Sequence, residues 1–452
     1  MSSSFREYIQ KLRTEKKLLE TKKPVSTNLE LSSILKSSEP CGVYFPKIKE
    51  SEFTCAGNIF STKEMVADSL GIKKEELTTR LMYAIENPTK PNLVTDGPIL
   101  ENTIENPDLS KIPIPTYLEK DGGPYFTSAV AFATDPELGR NISFHRLMVI
   151  GKDRVVARIL LRHLNTFIER AEKRGEKFKA TFVVGLPINI LLAGATSVEL
   201  GTDELGIANT LAPVTTVKLS NGTEIPAEAE FAFEAELTGE MAEEGPFLDL
   251  TETYDIIRKQ RVFKITKIHH RNTPIFHALL PGGLEHKILM GMPKEPTIFI
   301  EVNKVCECKG VNITPGGCSW LHAVVSIKKK KEEDGKNAIE AAFAGHKSLK
   351  HVVVVDEDID ITNSAEVEWA IATRFQASKG LVVKLNEKGS SLDPSADPNT
   401  YATSKIGLDA TKSLIAHHKK EDSFLTVANQ GSLHGKNFEK AKYKKINLRE
   451  YF

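Results

Sequence analysis

Four short segments of the chain concentrate side chains that often carry enzyme chemistry. Carboxyl groups can transfer protons, and guanidinium groups bind carboxylates in a fixed fork. Taken singly, each segment is weak evidence for an active site, because a lone Asn or Glu is usually a turn or surface residue and a lone His is usually structural. The segments are Asn141-Ile142-Ser143-Phe144-His145-Arg146, Arg162-His163, Thr202-Asp203-Glu204-Leu205 and Glu244-Gly245-Pro246-Phe247-Leu248-Asp249.

Together and in this order, the segments resemble the UbiD family of decarboxylases, in which N-x4-R, a downstream His, a Glu and E-G-P-F-x-[DE] build one site. The resemblance continues through 226–230, 355–360, 369–374 and 404–411 and covers most of the chain. It implies an α/β (α+β multidomain) fold with a central split-β-barrel flavin-binding domain. It also implies a non-oxidative carboxy-lyase that uses prenylated FMN and a divalent metal.

By motif position, the resemblance implies that Asn141, His163 and Glu204 bind the metal beside the flavin phosphate. A carbonyl oxygen, an imidazole and a carboxylate suit Mn²⁺ or Mg²⁺, and the ion would compensate phosphate charge that is otherwise buried unpaired. The choice between Mn²⁺ and Mg²⁺ stays open, as does an accessory K⁺.

The flavin is expected to contact further residues through its phosphate. Ala195-Thr196-Ser197 offers backbone N–H groups and hydroxyls, and Lys405 in a Ser-Lys-x-Gly motif offers a charge. Arg162, next to His163, is expected to join them.

Arg146, Glu244 and Asp249 match the catalytic group of the family by position. Loss of CO₂ from an sp² carbon leaves a very basic carbanion, so an electron sink must come from the cofactor. Arg146 is expected to hold the substrate carboxylate or to orient the acid, and a carboxylic acid delivers the replacing proton. Glu244 and Asp249 are five residues apart, so they share a face only if the loop bends, and either could be the proton donor.

The segments 276–283 and 285–287 are similar to an archaeal-type branch of the family, the anhydromevalonate phosphate decarboxylases, which form isopentenyl phosphate from trans-anhydromevalonate 5-phosphate. A substrate with a phosphate and a carboxylate needs two anion sites. A surplus of basic side chains fits that need, although any of them could serve surface ion pairs: Arg154, Arg158, Arg162, His277, His286 and Lys287.

Two other functions stay open. One is decarboxylation of an aromatic or quinone-precursor acid of the 4-hydroxybenzoate type, although no long apolar groove for a polyprenyl tail is recognisable. The other is a non-catalytic flavin-binding scaffold, which would have no reason to keep all three catalytic residues. Cys306, Cys308 and Cys318 could form a zinc site, but no CxxC pair or fourth ligand is evident, so ordinary buried thiols are favoured.

Three domains are expected: an N-terminal α+β domain over 1–115, a prenyl-FMN-binding β-barrel domain over 116–310 and a C-terminal α/β oligomerisation domain over 311–452. The sequence predicts a first helix from Phe5 to Leu19 and a single helix, about Leu164–Arg174, in the central domain. It predicts a buried strand and turn over 182–195 and strands over 128–133, 147–150, 180–184, 214–219, 263–268 and 297–302.

The C-terminal third alternates helices and strands. The sequence predicts a strand-to-helix turn at 328–335, a helix over 337–344, a strand over 351–355 and a helix over 363–374 with Asn363 as N-cap. A basic tail, Lys436 to Arg449, is expected to pack on another subunit as a helix.

The composition of the chain limits the classes of partner that it is expected to bind. Lysine plus arginine number 60 and aspartate plus glutamate number 60, so no global charge attracts nucleic acid or a membrane surface. Five cysteines and the lack of a secretory signal or a membrane-length apolar run predict a cytoplasmic protein. The expected partners are a small unsaturated carboxylic acid, a flavin prenyltransferase as cofactor supplier and further copies of the chain.

Overall fold

The computed structural model describes residues 4–414. Its strands, in chain order, are β1 (Leu18–Glu20), β2 (Gly42–Phe45), β3 (Thr54–Gly57), β4 (Asn92–Leu93), β5 (Asn102–Ile104), β6 (Tyr125–Phe126), β7 (Val130–Asp135), β8 (Gly139–Phe144), β9 (Leu147–Val149), β10 (Arg154–Ala157), β11 (Lys179–Val184), β12 (Thr215–Lys218), β13 (Glu224–Pro226), β14 (Phe231–Glu244), β15 (Phe247–Leu248), β16 (Tyr254–Asp255), β17 (Arg258–His270), β18 (Ile275–His277), β19 (Glu307–Ile313), β20 (His322–Lys328), β21 (His351–Asp356), β22 (Leu381–Lys388) and β23 (Ala402–Asp409).

The helices are α1 (Phe5–Thr14), α2 (Glu30–Ser38), α3 (Lys63–Leu70), α4 (Leu77–Glu86), α5 (His163–Arg174), α6 (Ile188–Ala195), α7 (Glu204–Leu211), α8 (Leu284–Gly291), α9 (Glu295–Asn303), α10 (Asp334–Gly345), α11 (Ser364–Arg374) and α12 (Ala377–Gly380). Among the described residues, no helix is both long and apolar enough to cross a lipid bilayer.

The described residues form two compact units, and the chain passes between them several times. The first unit contains residues 4–296 together with the short segments 315–321 and 391–396. The second contains residues 297–314, 322–390 and 397–414. The three expected domain ranges stay a prediction.

A largely antiparallel sheet dominates the first unit. Its strand order is β6-β9-β10-β17-β14-β11-β7-β8, and β5 also pairs with β17. The inward side chains are large and apolar, and Phe126, Phe182, Phe233 and Phe263 are almost completely buried. Helix α5 adds one apolar stripe to this core, as its spacing of apolar residues predicts.

The second unit is an α/β sheet of order β19-β20-β21-β23-β22. Strands β20, β21 and β23 are parallel, and β21 is buried along four consecutive valines, as a strand covered on both faces should be. The structure confirms the predicted turn at 328–335 and the predicted strand over 351–355. It also confirms the N-cap, because Asn363 Oδ1 accepts a hydrogen bond from Ala365 N at 3.1 Å.

Three sequence predictions of local structure are wrong. Helix α1 stops at Thr14, because Lys16 has a φ of +57° and the chain turns into β1. The apolar run 182–195 contains the helix α6 after β11, so its second half is helical and not a simple turn. Residues 297–302 lie in helix α9, where Ile298 and Val302 are buried four residues apart, so packing overrides their β propensity.

The central β region also contains more helix than predicted, since α6, α7, α8 and α9 join α5. The predicted strands over 128–133, 147–150, 180–184, 214–219 and 263–268 are confirmed within a few residues at their ends. The basic tail Lys436 to Arg449 lies outside the described residues. All five cysteines are free thiols.

Candidate active site

Strand β8 and helices α5 and α7 place the three expected metal ligands close together. Asn141 lies in β8 opposite Ala133 of β7, and Glu204 is the first residue of α7. Asn141 Nδ2 donates to Glu204 Oε1 at 2.7 Å, and the backbone N–H of Ile142 donates to Glu204 Oε2 at 3.0 Å. His163, at the start of α5, brings Nδ1 to 3.6 Å from Glu204 Oε1.

The chemistry of these donors fits a divalent cation. Glu204 is only 2% exposed, and a carboxylate so deeply buried needs a positive partner. Among residues 4–414, no three His, Cys, Asp or Glu side chains converge as a metal site, so a metal here would draw on the Asn141 amide as well. An amide oxygen, an imidazole and a carboxylate are ligands that Mn²⁺ and Mg²⁺ accept.

An ion pair next to the expected metal ligands joins β8 to α7. Asp203, the N-cap of α7, accepts from Leu205 N, as N-cap carboxylates do. The same carboxylate receives Arg140 Nε at 3.0 Å and Nη2 at 2.6 Å. Residues 140 and 203 therefore pair side by side with residues 141 and 204, which positions Glu204 against Asn141.

A second group of charged side chains surrounds Arg146, which follows β8. Arg146 Nε and Nη2 donate to Glu244 at 2.8 and 3.0 Å, and Nη1 donates to Asp249 Oδ2 at 2.6 Å. Nη2 also donates to Asp255 Oδ2 at 2.8 Å. The loop after β14 therefore bends enough for Glu244 and Asp249 to reach one guanidinium, and the donors of Arg146 are shared among three carboxylates.

Packing holds this cluster from the opposite side. Glu244 is fully buried and accepts from the Tyr125 hydroxyl at 3.1 Å, and the Phe247 ring lies 4.6 Å from the Arg146 guanidinium carbon. Gly122 passes so close to the Glu244-Gly245-Pro246 segment that a Cβ there would lie 2.4 Å from the Gly245 carbonyl oxygen. Only glycine fits at position 122 without moving the segment that carries Glu244.

Arg146 and Asp255 each perturb the protonation of the other. Burial of Arg146 acts to lower its pKa, but hydrogen bonds to Glu244 and the charges of Asp249 and Asp255 outweigh it and raise the pKa. Burial of Asp255 acts to raise its pKa, but Arg258 and Arg146 lower it overall. The two guanidinium groups therefore favour the ionised form of Asp255, and Glu244 and Asp249 remain the candidate proton donors that motif position indicates.

The segment 195–197 accepts hydrogen bonds from a lysine that the sequence did not single out. Lys294, only 6% exposed, donates to Ser197 Oγ at 2.6 Å and to the Ala195 carbonyl at 3.1 Å. Burial, together with the charge of Arg162, lowers the pKa of Lys294 to about 7. The Thr196 hydroxyl donates to the Leu192 carbonyl, so one of the predicted hydroxyl donors is engaged within α6.

The other expected cofactor residues differ in their surroundings. Arg162 is exposed at the N-cap of α5, next to His163. Lys405 belongs to the second unit, where its ammonium donates to the Lys347 carbonyl at 2.6 Å and lies over the Phe343 ring. Contact of either with a flavin stays a prediction.

Sequence reasoning missed Asp255, Tyr125 and Lys294. Asp255 could have been found, because the five residues between Phe247-Leu248 and Tyr254-Asp255 form the turn of a hairpin that places Asp255 opposite Phe247. Tyr125 and Lys294 carry no local signal, since their roles depend on contacts with residues about 100 positions away.

The chain matches three family models, each described as a domain of 3-octaprenyl-4-hydroxybenzoate carboxy-lyase (UbiD): the N-terminal domain over 9–85, the Rift-related domain over 92–284 and the C-terminal domain over 287–410. It is 42% identical over 420 residues to the anhydromevalonate phosphate decarboxylase of Methanothermobacter thermautotrophicus, covering 92% of this chain and 98% of the relative. The enzyme of the same name from Methanocaldococcus jannaschii is 44% identical over 390 residues, covering 85% and 92%.

A solved structure shows the same architecture. The UbiD-class enzyme HmfF from Pelotomaculum thermopropionicum, in complex with FMN, superposes with a TM-score of 0.90 at 34% identity and covers both chains completely. An evolved dimeric form of HmfF in complex with prFMN gives a TM-score of 0.89 at 33% identity, again over both full chains. The expected multidomain fold is thus confirmed, and the chain belongs to the UbiD family of carboxy-lyases.

Proposed function

We propose that this carboxy-lyase converts trans-anhydromevalonate 5-phosphate to isopentenyl phosphate and CO₂ in an archaeal-type mevalonate pathway. The substrate is supported by two relatives above 40% identity that carry this activity in their names and align along nearly their whole length. The observation that carries the reaction type is the Arg146 cluster, where two candidate acids meet on one guanidinium.

The proposed cofactor is prenylated FMN, supported by the HmfF complexes. When bound, it supplies the electron sink for the carbon that loses CO₂. Asn141, His163 and Glu204 would hold Mn²⁺ or Mg²⁺ at its phosphate, and Arg162, Lys294 and the 195–197 segment would add donors there. Lys405 stays a candidate phosphate ligand, and an accessory K⁺ stays open.

The residues around Arg146 have three tasks in this proposal. Arg146 orients the carboxyl groups of Glu244 and Asp249, since its donors already engage them. One of the two carboxyls delivers the proton that replaces CO₂ on the substrate carbon. The Tyr125 hydroxyl and the Phe247 ring keep Glu244 and Arg146 in place and exclude water from that side.

The test is reconstitution of the purified protein with prenylated FMN and Mn²⁺, followed by turnover of two acids. With trans-anhydromevalonate 5-phosphate we expect CO₂ release and isopentenyl phosphate by mass spectrometry. FMN alone should give no turnover, because the unmodified ring cannot attach the substrate. CO₂ from a 4-hydroxybenzoate-type acid alone would reject the proposed substrate.

We further propose a cytoplasmic homo-oligomer that receives its cofactor from a flavin prenyltransferase. Five free thiols suit a reducing compartment. On β22, at the edge of the sheet of the second unit, Leu381, Val383 and Leu385 alternate and are 38%, 54% and 69% exposed. An apolar stripe on an edge strand favours contact with another copy, which light scattering of the full chain would detect.

A further inference from the structure

The segment 119–123 lies along the hairpin that carries two of the carboxylates around Arg146. Strands β15 and β16 pair with Phe247 opposite Asp255, and Asp249 follows β15 directly. Any side chain that fixes this hairpin therefore also fixes Asp249 and Asp255 against the guanidinium.

Backbone and side-chain contacts join the segment to both arms of the hairpin. Gly122 N donates to the Pro246 carbonyl at 2.9 Å, just before β15. The Lys120 ammonium lies 5.8 Å from the centre of the Tyr254 ring in β16. Gly122 also approaches Gly245 too closely for a side chain to fit between them. The segment and the hairpin thus pack as one unit.

Asp121 lies at the centre of this contact. Its Oδ2 atom accepts a hydrogen bond from Leu118 N at 2.9 Å, and Asp121 N donates to the Leu118 carbonyl at 3.1 Å. Burial raises the pKa of Asp121. The backbone N–H groups of Leu118 and Leu248 act in the opposite direction, as does the charge of Arg146, but they do not outweigh burial. Since Leu248 directly precedes Asp249, the Asp121 carboxyl group reaches the arm that carries this candidate proton donor.

An aspartate is an unfavourable residue at this place. Asp121 Oδ1 is buried, and it has no hydrogen-bond partner among the described residues. A buried oxygen without a donor has lost its hydration without compensation. Asp121 also adds a fourth carboxyl group to the three that already surround Arg146. Groups that are costly to the fold are expected where they serve a functional site.

We propose that Asp121 is a positioning residue for Asp249. Its carboxyl group holds the arm of the hairpin at Leu248 through the backbone N–H, and so keeps Asp249 against the Arg146 guanidinium. This inference rests on the role that we propose for Asp249 in proton delivery. A displacement of about 1 Å can slow a reaction about 100-fold, so a shift of Asp249 should lower kcat while the substrate contacts that determine KM remain.

The direct test measures amide hydrogen exchange of the full chain by mass spectrometry, and it needs neither substrate nor turnover. In Asp121→Ala, exchange of the peptide that spans 245–255 should become about tenfold faster or more, because the hairpin loses the carboxyl contact. In Asp121→Asn it should stay within about threefold of the wild type, since the amide oxygen still accepts from backbone N–H groups.

Asp108→Ala is the matched control. Asp108 is also an aspartate that accepts from a backbone N–H close by, that of Ser110 at 3.1 Å, but it caps a short helical turn outside the hairpin. Its loss should leave the exchange of 245–255 unchanged.

The kinetic test uses enzyme loaded with prenylated FMN and Mn²⁺. Asp121→Ala should lower kcat about 30-fold, with KM changed less than about threefold. The solvent deuterium isotope effect on kcat should rise, because proton delivery becomes slower. Asp121→Asn should recover most of kcat. A merely structural role would lower the flavin and metal content instead and would leave the isotope effect unchanged.

Unchanged exchange of 245–255 in Asp121→Ala would overturn the inference. So would an equal loss of kcat in Asp108→Ala, or a loss in Asp121→Ala without a change in the isotope effect. If exchange rises as expected but Asp249→Asn keeps the full kcat, the positioning stands and the proposed role of Asp249 fails.

If Asp121→Ala does not fold, Asp121→Ser carries the same measurements. The shorter serine hydroxyl can still accept from Leu118 N within its own turn, but it does not reach the hairpin at Leu248. The exchange of 245–255 and the isotope effect should therefore change in Asp121→Ser as they do in Asp121→Ala.

Discussion

The regions around Asn141 and Arg146, five residues apart on the chain, differ in how their buried charges are compensated. Around Arg146, three carboxylates meet Arg146 and Arg258 at short range, so opposite charges compensate each other. Around Asn141, the buried Glu204 has an amide, a backbone N–H and an imidazole, and no ion pair to a described lysine or arginine. The Arg146 cluster therefore compensates its charges within the chain, whereas the Glu204 group does not, which is why we propose a cation there.

The largest effect on turnover is expected for a substitution in the Arg146 cluster. Glu244→Gln should lower kcat about 10³-fold while the flavin spectrum and metal content stay unchanged, because general acid groups contribute factors of this order. Rapid-quench turnover of the reconstituted enzyme measures it. Intact turnover with bound cofactor would remove Glu244 from the reaction.

Asp249→Asn, compared in the same assay, assigns the proton donor. The variant of the donor should lose product formation, and the variant of the other acid should retain a measurable rate. Asp255→Asn is the matched control, because Asp255 contacts the same Arg146 guanidinium while Arg258 and Arg146 favour its ionised form.

The second prediction addresses the Glu204 group. Glu204→Gln should weaken Mn²⁺ binding by about 100-fold or more, since it removes the charged ligand. In the metal-free protein, however, it should raise the melting temperature slightly, because a buried unpaired charge is removed. Calorimetric titration and thermal melting measure the two effects.

In the metal-free protein, Glu204→Gln and Glu244→Gln are expected to shift the melting temperature in opposite directions. Glu244→Gln should lower the melting temperature there, because it leaves Arg146 with fewer anions. Shifts of the same sign in the two variants would show that the two regions do not differ in this way.

A third, smaller effect tests the ion pair that joins β8 to α7. Arg140→Gln should weaken Mn²⁺ binding about tenfold, because Asp203 and hence Glu204 lose their fixed position beside Asn141. Arg174→Gln is a suitable control, since Arg174 also pairs with an aspartate of the first unit, Asp135, but at a different place. Equal effects of both variants would indicate general destabilisation.

The fourth prediction concerns stability alone. The pKa of Lys294 in the folded chain is about 7, below its ordinary value of 10.5. Between these values the unfolded chain binds more protons than the folded chain, so the stability of the cofactor-free protein should rise with pH from about 7 to 10. The full change is on the order of 5 kcal/mol.

Lys294→Met should flatten this pH dependence and stabilise the cofactor-free protein at pH 6. Chemical denaturation at pH 6 and pH 9 measures both. A slope that persists in Lys294→Met would show that other groups cause it.

The sequence predicts the fold well where period and capping agree, as in the strand over 351–355 and the helix capped by Asn363. It fails where packing decides, as for residues 297–302, whose β-branched side chains lie in a helix because Ile298 and Val302 share a buried face. Local propensity is a weak guide when two such residues can be buried four positions apart.

For the site, motif order brings together Asn141, His163 and Glu204 and, separately, Arg146, Glu244 and Asp249, as the structure also does. It does not identify what surrounds them. Tyr125 and Lys294 reach their partners across about 100 residues of chain, and no spacing rule covers such contacts.

The interleaving of the two units limits how this enzyme can be recombined. The segment 315–321 belongs to the first unit, where Ser319 closes over Gly291 and Trp320 lies against Lys294. In a chimera that joins residues 4–296 to the remainder of a relative, the residues that pack against Lys294 would therefore come from the relative. Exchanging C-terminal halves between decarboxylases should succeed only when residues 315–321 and 391–396 come from the same parent as the first 296.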